Sequence, residues 1–145
     1  MAFAWCCASS CKDGTTPVAI TNLVPPDEPD LIDMSLTIGG ATVMVTKQGV
    51  VSGQIVLRPG ANAMRATFLR FGDVPDTHVT ADAFRLEVSL NGYADSVFVA
   101  SPGDPFSGTL TIANPGNYTI RVVLDHVTRG HDDWNTDVTK VYVRT

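Results

Sequence analysis

FSGTLTIANPGNYTIRVVL, residues 106–124, is the stretch whose reading decides the fold. Two runs of alternating character flank the corner Asn114-Pro115-Gly116-Asn117. Each corner residue favours a turn for its own reason: proline presets φ, glycine accepts positive φ, and asparagine bonds its own backbone. Beyond the corner, Tyr118, Ile120, Val122 and Leu124 fall on one side of an extended chain, with Thr119, Arg121 and Asp125 on the other. Such a period of two predicts a strand with one face on a core. A tyrosine that opens such a strand can bury its ring while its hydroxyl caps a carbonyl just upstream. His126 continues the inward phase and is expected at the rim of that core.

The same grammar extends along the chain from Met34. MSLTI and ATVMVTK flank Gly39-Gly40, a hairpin signature because both turn residues tolerate positive φ. VVSGQIVL stops at Pro59-Gly60, AMRATFLRF at Gly72-Asp73, AFRLEVSL at Asn91-Gly92 and SVFVA at Pro102-Gly103. YTIRVVLDHV and DVTKVYVR close the chain. Roughly eight to ten strands with a turn about every 8–12 residues predict an all-β sandwich or barrel. The one helical rival is ANAMRATFLRF, where alanine and methionine favour helix but Thr67 and the short length oppose it. No internal repeat is visible.

Residues 106–144 resemble the end of an immunoglobulin-like sandwich of the fibronectin type III or PKD-like kind. The likeness rests on the corner before Tyr118 and on the final hairpin, about a third of the chain. It lacks the Cys…Trp…Cys pattern of antibody-type domains. The resemblance implies an immunoglobulin-like antiparallel β-sandwich over 34–145 and a binding or spacer role, since such folds host many functions.

Residues 1–33 read differently. Pro25, Pro26 and Pro29 interrupt a segment with one short strand candidate, Val18–Thr21, so this piece is expected to be an arm and linker. Asp27, Glu28, Asp30 and Asp33 keep it solvated. The opening MAFAWCCASSCKDG has neither the basic nor the apolar region of a secretory leader. It holds all three cysteines of the chain, Cys6, Cys7 and Cys11. These are expected to be free or structural thiols, or to form a disulfide within the chain (Cys6–Cys11 or Cys7–Cys11) or between chains, with a metal or lipid as the remaining alternative; C-C-x3-C lacks the paired knuckles of a structural zinc site.

Composition sets the outer bounds. The chain has 145 residues, enough for one domain with a real core, and its 44% hydrophobic and 17% charged residues exclude a disordered chain. A net charge of −5 with three lysines argues against nucleic acid as a partner. No apolar run is long enough for a membrane-spanning helix.

The densest polar cluster, TRGHDDWNTD at 128–137, is predicted to be the loop of the last hairpin, projecting from one end. Asp125, Asp132, Asp133 and Asp137 are hard oxygen ligands suited to calcium, but the D-x-[DN]-x-[DN]-G spacing is absent. His126 and His131 with an aspartate suit a transition metal, yet their spacing matches no compact ligand pair. His131 with Asp132 or Asp133 has the makings of an acid–base pair, but no G-x-S-x-G elbow or phosphate-binding loop accompanies it. Trp134 is either an exposed aromatic anchor or a ring folded over the end of the sandwich. The expectation is a partner-binding surface of Trp134, His131, Asp132, Asp133 and Arg129, with no catalytic residue, metal or cofactor. His78 is expected in a solvated loop, and Asp73 to Asp76 in a turn whose aspartates take local backbone donors.

The functional expectation is a non-enzymatic structural and interaction protein, a capsid- or tail-decorating component of a virion or another extracellular surface assembly. It is expected to be oligomeric, with protein subunits as partners. Val18 and Ile20 of the arm would add to a neighbour's sheet edge. The alternative is a carbohydrate-binding module whose platform is Trp134, Tyr93 and the loop aspartates, with or without calcium.

Overall fold

The computed structural model describes residues 29–91 and 98–145. Among these residues there are eleven strands and no helix: β1 (Asp33–Ile38), β2 (Ala41–Thr46), β3 (Val51–Ser52), β4 (Ile55–Leu57), β5 (Gly60–Arg70), β6 (Val74–Pro75), β7 (Phe84–Leu90), β8 (Phe98–Ser101), β9 (Asp104–Ile112), β10 (Gly116–His126) and β11 (His131–Val143). The count exceeds the expected one because β3 and β6 are two-residue strands, too short to leave a period in the sequence. The helical rival over 61–71 is almost entirely β5, where long-range pairing on both flanks overrides the helix propensity of Ala and Met.

The strands form two sheets. One runs β3-β2-β1-β5-β9-β8, with β6 beside the end of β5; the other runs β4-β11-β10-β7. All pairings are antiparallel except β4 with β11, where Ile55, Val56 and Leu57 run parallel to Val141, Tyr142 and Val143. That pair departs from the all-antiparallel expectation. A hairpin forces opposite directions, whereas β4 reaches β11 by crossing from the other sheet and is free of that constraint.

Alternation becomes burial across the gap between the sheets. Met34, Leu36 and Ile38 of β1 are fully buried, and Val43, Val45, Met64, Phe68, Leu110 and Ile112 join them from the same sheet. Ile55, Phe84, Ile120, Val122, Leu124, Val138 and Val141 face them from the second sheet. Packing begins before Met34: Leu31 is buried and the Ile32 N–H donates to the Leu69 carbonyl at 2.9 Å. The expected boundary at 33/34 therefore falls inside the sandwich.

The Asn114-Pro115-Gly116-Asn117 corner behaves as its residues dictate. The Tyr118 hydroxyl donates to the Asn114 carbonyl at 2.8 Å, and its ring packs against the core. Gly116 makes room for this, since a Cβ there would lie 3.1 Å from the ring.

Two further positions control the β8–β9 hairpin. A Cβ on Gly108 would overlap the Val99 carbonyl oxygen and crowd the Ala100 Cα at 2.9 Å, so the backbones of β8 and β9 approach where only glycine fits. Asp104 receives the Phe106 N–H at 3.1 Å, the Ser107 hydroxyl at 2.9 Å and Arg65 at 3.2 Å. Burial, the largest single influence on Asp104, works to raise its pKa. The bonds from Ser107 and Phe106 and the Arg65 charge together outweigh it and hold the carboxyl below its ordinary value.

Gly108→Ala is expected to cost about 1–3 kcal/mol in urea unfolding, with faster amide exchange over 98–101 than in the wild type. Unchanged exchange there would contradict the close approach. Because the folded pKa of Asp104 is depressed, its contribution is present above the unfolded value and lost as pH falls through the folded one. Asp104→Asn should therefore be less stable than wild type at neutral pH, and the gap should close on acidification below about pH 4.

Candidate functional site

Register brings several segments to one end of the sandwich. Asp33 pairs with Thr46 and Leu69, Leu69 pairs with Pro75, and His126 pairs with Phe84 and His131. The chain entry at 29–32, the β2–β3 turn, the β5–β6 tip, the loop 76–83 and the β10–β11 turn therefore lie together. The Thr136 hydroxyl, which reaches the Lys47 carbonyl at 3.3 Å, joins the two sheets there.

The cluster at 128–137 is only partly the loop that was expected. The β10–β11 turn comprises residues 127–130, closed by bonds from the Arg129 and Gly130 N–H groups to the His126 carbonyl. His131 to Asp137 already belong to β11. Trp134 is 1% exposed, with its ring edge-on to Phe68 at 5.8 Å. It is a core residue, not a partner anchor, and a sugar platform built on it is excluded. The signal was present: Trp134, Thr136 and Val138 repeat every second residue, and all three are buried.

A β-bulge sets the remaining side chains. Trp134 opposes Leu124 and Asp132 opposes Asp125, so Asp133 is the extra residue. Its carboxylate is largely covered: Oδ1 lies 3.2 Å from His131 Nε2, and Oδ2 is buried without a hydrogen bond among the described residues. Asp132 and Arg129 are exposed, and Asp132 Oδ2 accepts the Asn135 side-chain amide at 3.1 Å. No group of three His, Cys, Asp or Glu side chains among the described residues is arranged to hold a metal ion. Val18, Ile20, Cys6, Cys7, Cys11 and Tyr93 lie outside the described residues.

All three histidines gather at this end. His126 is buried, edge-on to Phe84 at 4.4 Å and facing the His131 ring at 5.5 Å, with the Thr128 hydroxyl 3.1 Å from Nδ1. His78 is exposed, as expected of a loop residue, but its ring rests on Asp76, which sequence reasoning placed in a turn but not in the interior. The Asp76 side chain is 1% exposed; Oδ1 accepts the His78 N–H and faces His78 Nδ1, each at 2.9 Å, and Oδ2 accepts the Asp30 N–H at 3.1 Å. One carboxylate thus ties the chain entry to the loop 76–83. His78, His126, Thr80, Phe84, Thr128 and Arg129 line a recess of about 400 Å³ beside it.

The end is also where apolar surface is exposed. Seven large hydrophobic side chains are exposed among the described residues, and five of them, Ile32, Val50, Phe71, Val74 and Val127, sit here. Phe71 is the extreme case at 87% exposure, on the β5–β6 tip. The sequence signal for it was a phenylalanine directly before Gly72-Asp73, where a turn leaves a ring nowhere to pack.

Asp76→Ala is expected to destabilise the sandwich by about 1–3 kcal/mol, because it strands the donors that the carboxylate serves. Urea denaturation measures the loss; a midpoint equal to wild type would show that the latch carries no weight. No family model matches the chain, and neither a characterised protein nor a solved structure shows significant similarity to it.

Proposed function

We propose that the chain is a non-enzymatic structural and interaction module with immunoglobulin-like topology, a subunit of a larger assembly of the capsid- or tail-decorating kind. The topological part is supported by strand order. β1-β5-β9-β8 matches the A-B-E-D sheet of that fold and β7-β10-β11 its C-F-G sheet, with β2 and β3 as additions beside β1. The Tyr118 hydroxyl at the corner before β10 fits the same scheme.

The observation that carries the functional part is the crowding of exposed apolar side chains at the end where residues 1–28 join the sandwich. Scattered exposed hydrophobics need no explanation, but a group rimmed by polar side chains is what a contact surface looks like. Arg129 and His131 supply part of that rim. The described chain begins at this end, and Val18 and Ile20, which precede it, are taken to add to the sheet edge of a neighbour docked there. The partner taken here is another copy of the chain or a neighbouring subunit.

Sedimentation velocity under reducing conditions tests this with the full chain, a 29–145 truncation and Phe71→Asp. The full chain is expected to self-associate, with both variants shifted toward monomer. A monomeric full chain over the accessible concentration range, or association unchanged in both variants, overturns the reading. The truncation point keeps Leu31 and β1, and an unchanged β-sheet circular dichroism spectrum in each variant distinguishes loss of association from loss of fold.

A further inference from the structure

The outer face of the four-stranded sheet lies away from that end surface and differs from it in chemistry. Here β7, β10 and β11 present a cleft of about 540 Å³, within the size range of small-ligand sites. Register sets its rows: Glu87, Val123 and Asn135 lie side by side, and Ser89 and Arg121 lie next to each other in the following row. Phe98, at the start of β8, closes one side.

The polar groups are held in place. Arg121 Nε donates to Asn135 Oδ1 at 2.9 Å, and Asn135 Nδ2 donates to Asp132 Oδ2 at 3.1 Å. Both ends of the asparagine amide are therefore committed, and the guanidinium plane is fixed by the bond at Nε. Among the described residues, Arg121 keeps its terminal N–H donors for a ligand, the Glu87 carboxylate accepts, and the Ser89 hydroxyl does both. Donors and acceptors so alternate over a floor that includes the apolar Val123 and an apolar wall at Phe98. Such a surface suits a ligand whose hydroxyls both give and accept hydrogen bonds and whose C–H faces are apolar.

We propose that this cleft is a binding site for a neutral saccharide. Charge decides neutral over acidic sugar. Two carboxylates, Glu87 and Asp132, outweigh the single Arg121 guanidinium lining the cleft, and the chain carries a net −5. Uronate or phosphate would meet repulsion there. The site is pre-organised, so a ligand need not bear the cost of ordering its side chains. It uses neither Trp134 nor the exposed apolar side chains that carry the assembly reading, and Asp132 is where it borders the end of the sandwich.

Saturation-transfer NMR and calorimetry with cellohexaose, maltohexaose and chitohexaose, and hexagalacturonate as the acidic counterpart, test the proposal on the full chain. At least one neutral hexasaccharide is expected to bind, more tightly than hexagalacturonate. Arg121→Ala and Asn135→Ala should each weaken it by about tenfold or more while strand dispersion in the NMR spectrum is retained. Phe71→Asp, at the end surface, should leave it unchanged, which separates this site from the assembly surface. No binding of any neutral probe at millimolar concentration overturns the proposal. So does binding that persists in both cleft variants, or a preference for hexagalacturonate.

Discussion

Everything in the second sheet takes its orientation from the burial of Trp134 between the two layers. Among the described residues it is the largest fully buried side chain, set against Leu124 on its own sheet and meeting Phe68 from the other edge-on. Two sheets facing each other stand about 10 Å apart, and an indole spans most of that gap. With Trp134 pointing in, Thr136 and Val138 must follow and Asn135 must point out. The outer face of the sheet, with its Arg121–Asn135–Asp132 chain of hydrogen bonds, is the reverse side of that choice. The bulge at Asp133 then restores a register that sets the His131 ring against His126.

Polar and apolar side chains are distributed against the usual sense at the end of the sandwich. A carboxylate, Asp76, is buried, and a phenylalanine, Phe71, is exposed. The first arrangement is stable because the carboxylate accepts backbone and ring donors from two segments. The second is affordable because Phe71 sits on a tip where no core position is within reach. Elsewhere the sandwich keeps to the ordinary rule: interior positions are almost wholly aliphatic or aromatic, and the outer face of the second sheet is largely polar, with Val56 and Val123 among its exceptions.

Much of the fold was legible in the sequence because its strands have one wet and one dry face, which writes a period of two into the residues. Tyr118 to His126 and Met34 to Ile38 carried that period cleanly. The two-residue strands β3 and β6 were not legible, since a period needs length, and neither was the parallel pairing of β4, which depends on where the chain crosses. The candidate site was read less well. TRGHDDWNTD reads as a loop because its charges mask the alternation of Trp134 with Thr136, and a bulge at Asp133 breaks the phase. Asp76 looked like any turn aspartate; its burial follows from Asp30, distant in sequence, which no local pattern reveals.

The parallel pairing of β4 with β11 governs the order in which the molecule can assemble. Among the described residues, β4 pairs with Val141, Tyr142 and Val143, and the Leu57 carbonyl accepts the Arg144 N–H at 2.9 Å, all far downstream in the chain. While the polypeptide is being synthesised, Ile55 and Leu57 have been made but have no strand to lie on. Closing such a distant contact carries a large loop entropy, which places this sandwich among the slow folders. Until β11 has been made, Ile55 and Leu57 form an apolar edge with no strand beside it, and β11 is what covers them.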